Sequence, residues 1–289
     1  MSIMDTVHTV NSIHASQPIG VFDSGVGGLS VLKHLVRVMP SESYVYLGDT
    51  ARVPYGNKSK ETVQLYSKQC AEFLLQQNVK LIIIACNSAS SLALEVVRAC
   101  SNVPVIGVIE PSAHAACAAT KNHVVGVIGT RATVGSGAYA RALSERAGAD
   151  SVSVIHQACP LFVPLAEEGW TAHPASRAIA LEYMKPLRDA GADTVVLGCT
   201  HYPLLQDIIH DAIPDATLID PGYYAALEAQ RVLASMNALH QEHAVPDTDI
   251  EFFVTDIPAT FSQVAKLFLG FDVAAPKQAV IDDHAIRQH

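Results

Sequence analysis

No run of this 289-residue chain is long and apolar enough to cross a membrane; the longest, such as Leu81–Ala85, have the length of a buried strand. No basic segment followed by an apolar core opens it. Residues 1–17 therefore read as a loose extension and not as a secretory signal, and the residues after about Lys277 read as another. Basic residues are in deficit, 19 Lys and Arg against 28 Asp and Glu, for a net charge of −9. Nucleic-acid binding, which rests on basic patches, is not expected. None of the six cysteines falls in a Cys-x-x-Cys pair, and the chain is long and signal-free, so reduced thiols in a cytoplasm are expected. Charged residues are scarce at 16%, whereas 49% of the chain is hydrophobic, enough to bury two cores of ordinary size.

What is there is alternation. Short β-rich runs fall at Ile19–Phe22, Tyr44–Leu47, Leu81–Ala85, Val103–Ile109, Val124–Ile128, Ser151–Ile155, Thr194–Leu197, Thr217–Ile219 and Ile250–Val254. Helical patterns lie between them. Val63, Tyr66, Cys70, Phe73 and Leu74 recur at helical spacing in a segment that ends near Asn78, and a second helix is predicted from about Pro174 to Ala190, with a kink expected at the internal Pro186. Such alternation implies parallel sheets covered by helices on both faces. The two halves also echo one another. IIIACNSASSL at Ile82–Leu92 and VVLGCTHYPLL at Val195–Leu205 each run from a buried strand into a cysteine, a polar residue and a helix start. A second strand and loop precede each, VFDSGVGG and VIGTRAT. The fold class expected is α/β, with two similar parallel-sheet domains and the active site in the cleft between them. Ligands of such sheets bind at the carboxyl ends of strands, where both cysteines sit.

Cys86 and Cys199 are the candidate reactive groups. A helix N-terminus presents free N–H groups and partial positive charge, which favours a thiolate. A cysteine is more often a small buried hydrophobe, and Cys70, Cys100 and Cys117 are read that way. The pair escapes because both recur at one place in the fold, beside Asn87-Ser88 and Thr200-His201. The loop Asp23-Ser24-Gly25-Val26-Gly27-Gly28 is like a dinucleotide loop, but Ser30 stands where the third glycine belongs, and no Gly-Lys-Ser/Thr makes a P-loop. The plainer reading is a tight turn capped by Asp23. Gly48–Gly56, with Asp49, Arg52 and Tyr55, is a loop after a strand, where α/β proteins place ligand contacts. His201 follows Cys199 closely enough to share or shuttle a proton. Cys-x-His is too little for zinc, so no metal is expected. No lysine lies in a candidate site loop to form a Schiff base with pyridoxal phosphate, so no cofactor is expected. The other histidines read as surface.

FDSGVGGLSVL, YLGDTARVPYG, ACNSAS, VIGTRAT, CPLFVPLAEEG and LGCTHYPLL run in order from about Ile19 to Asp220. In these motifs the chain resembles the glutamate racemases of the aspartate/glutamate racemase superfamily. The resemblance implies cofactor-independent racemisation of glutamate, supplying D-glutamate for peptidoglycan. Cys86 and Cys199 match the two acid/base thiols, the first serving the D-enantiomer and the second the L-enantiomer. Asp23 matches the carboxylate that assists the first thiol, and Glu167 and His201 the groups beside the second. Substrate contacts fall on Asp23, Ser24, Tyr55, Gly56, Asn87, Ser88, Thr200 and His201, with Asp49 in the same region. Ser88 stands where many members have threonine. Pro221-Gly222-Tyr223-Tyr224 departs from the usual small and acidic stretch. The resemblance also implies a discontinuous first domain, residues 18–109 plus 220–289, around a second at 110–219, with glutamate as small-molecule partner, no nucleic acid or membrane required, and a homodimer as the assembly to test.

Three other readings stay open on the residues: a racemase of the same superfamily acting on aspartate or a hydantoin, a two-lobed amino-acid-binding module, and a thiol redox or zinc protein.

Overall fold

The structure, a computed structural model, describes residues 13–148, 151–240, 249–257, 261–282 and 285–288. Eleven strands form among them: β1 (Ile19–Asp23), β2 (Tyr44–Gly48), β3 (Leu81–Ile84), β4 (Val105–Gly107), β5 (Val124–Gly129), β6 (Ser153–Ala158), β7 (Thr194–Gly198), β8 (Thr217–Ile219), β9 (Ile250–Val254), β10 (Lys277–Ile281) and β11 (Ile286–Gln288). They make two sheets, in the orders β11-β10-β9-β2-β1-β3-β4 and β6-β5-β7-β8. The stretch β2-β1-β3-β4 and the whole of β6-β5-β7-β8 have the same order, every neighbour parallel. The repeated sequence pattern thus corresponds to a repeated topology. Cys86 follows β3 and Cys199 follows β7, at equivalent strand ends.

Side chains alternate across the first sheet as period-two geometry requires. Ile19 and Val21 face one cluster, and Phe22, Ile82 and Ile84 face another. The first of these clusters continues into the second sheet through Val125, Val127 and Val196. Ile109, Ala113 and Ala116 of the helix Ile109–Ala119 and Ala225, Ala226 and Ala229 of the helix Pro221–Ser235 complete it. These are the helices on which the chain enters the second sheet and leaves it. Their small side chains let both sheets approach one shared core. A separate cluster of Ile128, Phe162, Leu187, Val195, Leu197 and Tyr202 fills the far face of the second sheet.

Several expectations need correction. The segment after Lys277 is not a loose extension. β10 pairs parallel with β9, and β11 pairs antiparallel with β10, so the first sheet is not wholly parallel. Only Ala279 and Ile286 of these last two strands are fully buried, which left little hydrophobic pattern to read. Residues 1–12 lie outside the described residues. Ile13–Gln17, however, is anchored: Ile13 packs on the core, and Gln17 Nε2 donates to Asn78 Oδ1 at 2.9 Å. β4 is shorter than the run Val103–Ile109 because Ile109 already opens a helix. The helix Lys60–Gln76 ends as read, with Asn78 at φ 57° just beyond it. The helix Pro174–Asp189 continues through Pro186.

Lys80, just ahead of β3, is fully buried and paired with Glu42 at 2.5 Å. Its ammonium also donates to the Ala238 carbonyl. This pair sits at the amino ends of the strands, the edge opposite the cysteines, and removing one partner would cost about 3–5 kcal/mol in folding.

Candidate active site

The strand-end loops of both sheets meet at one boundary, and glycine permits the approach. A Cβ on Gly27 would lie 2.4 Å from Thr200 Oγ1 and 2.5 Å from His201 Cε1; one on Gly56 would lie 2.9 Å from Thr130 Cβ. The glycines of the first loop therefore admit the opposing domain. Hydrogen bonds cross the same boundary. Tyr139 donates to Asn87 Oδ1 at 2.7 Å, and the Ser88 and Thr130 hydroxyls are 2.9 Å apart. Each such bond contributes about 1 kcal/mol, a small addition to the apolar core that the two sheets share.

The two thiols are each 6% exposed, but their surroundings differ. Cys86 is the N-cap of the helix Asn87–Cys100. Its sulfur accepts from the Ala89 N–H at 3.5 Å and lies 3.5 Å from Ser24 Oγ. The expected lowering of this thiol by the helix end is overturned. Burial and the neighbouring Asp23 carboxyl outweigh the N–H and hydroxyl contacts and push Cys86 up to about 12. Cys199 does not cap an α-helix. A 3-10 turn, Tyr202–Leu205, containing Pro203, separates it from the helix Gln206–Ala212. Its partner is His201 Nδ1 at 3.9 Å, and His201 Nε2 reaches Glu167 Oε1 at 2.9 Å. Burial pulls His201 down, but hydrogen bonds and charge from Cys199 and Glu167 prevail and push it up to about 10. One thiol is thus held protonated, while the other faces an imidazolium.

Asp23 closes the first wall. It is 1% exposed, and its Oδ2 accepts the Gly25 N–H at 2.9 Å; its Oδ1 has no hydrogen-bond partner among the described residues. Burial raises its pKa, partly offset by the charge of His201 and the N–H groups of Gly28, Gly25 and Ser24. It caps its own turn and not the helix Leu29–Val38, whose N-cap is Gly28. The cavity beside the loop, about 740 Å³, is bordered by Gly25, Thr50, Val53, Glu167, Phe261 and Leu267.

Not every candidate points at this cleft. The Tyr55 ring is buried, and its hydroxyl donates to Asp49, so the backbone of Tyr55–Gly56 is the part that meets Thr130. Asp49 is the hub of that loop, accepting Arg52 Nε at 2.8 Å and Thr255 Oγ1 at 2.9 Å as well. Cys70, read as a plain hydrophobe, lies 3.9 Å from the Tyr55 hydroxyl and borders this network. His34, read as surface, is half-buried and 2.9 Å from Asp220 Oδ2. Thr130, Thr133 and Tyr139 were missed as individual residues. The threonines could have been found, because they follow β5 as Ser24 follows β1; Tyr139 had no local signal. Among the described residues, no three His, Cys, Asp or Glu side chains are grouped to hold a metal ion, and no helix is long and apolar enough to cross a membrane.

Residues 19–229 match the model of the Asp/Glu/hydantoin racemase family. A glutamate racemase of Syntrophus aciditrophicus is 48% identical over 254 residues, 88% of this chain and 93% of its own. One of Geobacter metallireducens is 48% identical over 253 residues, 87% and 92% of the two chains. The structure of glutamate racemase from Francisella tularensis in complex with D-glutamate superposes with a TM-score of 0.85 at 36% identity, covering 93% of this chain and 98% of that one.

Proposed function

The chain belongs to the Asp/Glu/hydantoin racemase family, and we propose that it interconverts L- and D-glutamate without a cofactor, with Cys86 and Cys199 as the two acid/base groups. The observation that carries this reading is the placement of one thiol at an equivalent strand end of each sheet, each with its own proton partner. Inverting an α-carbon requires a base on one face and an acid on the other. The Cys199 thiolate, paired with His201 and Glu167, takes the α-proton of L-glutamate. The Cys86 thiol, held protonated by burial and Asp23, delivers a proton to the opposite face and leaves D-glutamate. The reverse reaction exchanges the roles. Asp23, Ser24, Asn87, Ser88, Thr200, His201 and, through their backbone, Tyr55 and Gly56 are the proposed substrate contacts. Donors fixed on strand ends stabilise the carbanion, and also account for an anion binding to an acidic protein. The domain boundaries proposed are 18–109 with 220–289, and 110–219. We place the product in cell-wall peptidoglycan synthesis and the protein in the cytoplasm, with a homodimer as the assembly to test.

Polarimetry tests the activity. Protein dialysed against chelator and treated with a carbonyl reagent should carry L-glutamate to zero rotation and leave L-aspartate unchanged. Activity that disappears and returns with added metal or pyridoxal phosphate would refute cofactor independence. Turnover of aspartate in preference would reassign the substrate.

A pH profile tests the asymmetry of the thiols. The working state carries one proton on the pair. On the acid side the rate should rise with pH as one sulfur of the coupled pair ionises. As pH rises, His201 loses its charge near 10, before Cys86 is deprotonated near 12, so the alkaline limb should begin with the imidazole. The profile of kcat/KM should be bell-shaped, with apparent values that belong to the coupled groups. A rate flat from neutral to strongly alkaline pH would count against it.

A further inference from the structure

Ser30 breaks the glycine pattern of the first loop, and its hydroxyl makes a contact no glycine could. It lies 2.9 Å from the Gly27 carbonyl in its own loop and 2.9 Å from the Thr200 carbonyl of the other domain, so one hydrogen is shared between them. Ser30 is 6% exposed and sits in the first turn of the helix Leu29–Val38. The Thr200 carbonyl and the His201 N–H belong to a single peptide plane. Fixing that carbonyl fixes the plane that carries the His201 Cα, and so narrows where the His201 side chain can start.

We propose that Ser30 is a positioning residue for the second thiol: by holding the Thr200 carbonyl from across the domain boundary, it keeps the His201 ring within reach of Cys199. The inference rests on the two-thiol reading. A second contact acts in the same direction. Phe268, on the helix Phe261–Leu269 that belongs with the first sheet, meets the His201 ring edge-on, with centroids 5.3 Å apart and planes at 90°. His201 is therefore held by the first domain at both backbone and ring. Cys86, in contrast, takes its contacts from Ser24 and Ala89 within its own domain. Loss of the Ser30 hydroxyl should disturb one thiol and spare the other.

Full-length Ser30→Ala and Ser30→Thr are compared with the parent by steady-state kinetics from both enantiomers. The rate at which iodoacetamide alkylates each cysteine at neutral pH is resolved by peptide mass spectrometry. Ser30→Ala should lose about tenfold in kcat/KM, the size of one buried hydrogen bond. The loss must be equal in both directions, because the enantiomers have equal free energies in solution. Alkylation of Cys199 should change about threefold or more, with Cys86 unaltered, and Ser30→Thr, which keeps the hydroxyl, should restore both readings. Ser30→Gly removes the same group with more room and serves if Ser30→Ala does not fold. Unchanged kcat/KM and Cys199 reactivity, or equal changes at both cysteines, would overturn the proposal. An inactive Cys199→Ala beside an unaffected Ser30→Ala would sink this inference alone, whereas a fully active Cys199→Ala would sink the two-thiol reading beneath it.

Discussion

Cys86→Ala and Cys199→Ala should each lose racemisation in both directions by about a thousandfold or more, because every turnover needs one base and one acid. The two losses differ in what survives. In heavy water the intact protein should place deuterium on the α-carbon of the product, while unreacted substrate stays largely protiated early on. The thiol that donates has exchanged with solvent, and the thiol that accepts is on the other face. Cys86→Ala retains Cys199 with His201 and Glu167 and should still wash out the α-proton of L-glutamate. Cys199→Ala retains Cys86 with Ser24 and should act only on the D-form, and more slowly, because burial and Asp23 disfavour the Cys86 thiolate. The measurement is proton NMR of the α-position, with circular dichroism to establish that each variant is folded. Retained racemisation in either folded variant, or the opposite enantiomer preference, contradicts the assignment of one thiol to each face.

Gly27→Ala should cost about a hundredfold in kcat/KM while leaving the fold in place. Its backbone is not left-handed, so the penalty is steric. The new methyl would stand 2.4 Å from Thr200 Oγ1, 2.5 Å from His201 Cε1 and 2.6 Å from His201 Nδ1. His201 cannot simply turn aside, because Glu167 holds its far nitrogen and Phe268 packs against its ring. The loop and the imidazole must separate, and a displacement of about 1 Å at a catalytic group costs about that factor. Overpacking of this kind destabilises by about 1–3 kcal/mol, visible as a lowered Tm but compatible with a folded protein. Gly135→Ala is the control, since a Cβ there meets nothing within 4 Å and should leave rate and Tm unchanged. A Gly27→Ala variant with parental kcat/KM would show that the boundary between the domains is looser than these distances imply.

The residues proposed to do the chemistry were legible because strand ends in parallel α/β folds are marked locally. A run of Val and Ile stops, a polar or sulfur-bearing residue follows, and the pattern recurs in the second half. That is how Cys86, Asn87, Cys199 and Thr200 stood out, and β2-β1-β3-β4 beside β6-β5-β7-β8 is the structural form of the same repeat. β10 and β11 were invisible because a strand with one buried side chain carries no periodicity. The electrostatic difference between the thiols could not be read at all. The motifs look alike, yet a helix cap beside a buried carboxyl keeps Cys86 protonated, and a 3-10 turn gives Cys199 an imidazole in place of a helix end. Nor could the sequence tell that the helix Phe261–Leu269 returns to place Phe268 on His201, or that Ser30 reaches Thr200. By itself, then, the sequence determined the two sheets, the two thiols and the class of chemistry, all written in residues close together along the chain. Only the tertiary structure decided how differently the two thiols are surrounded. A pKa depends on the burial, charges and hydrogen bonds around a group, and these come from residues far apart in the chain that meet only when both domains have folded against each other.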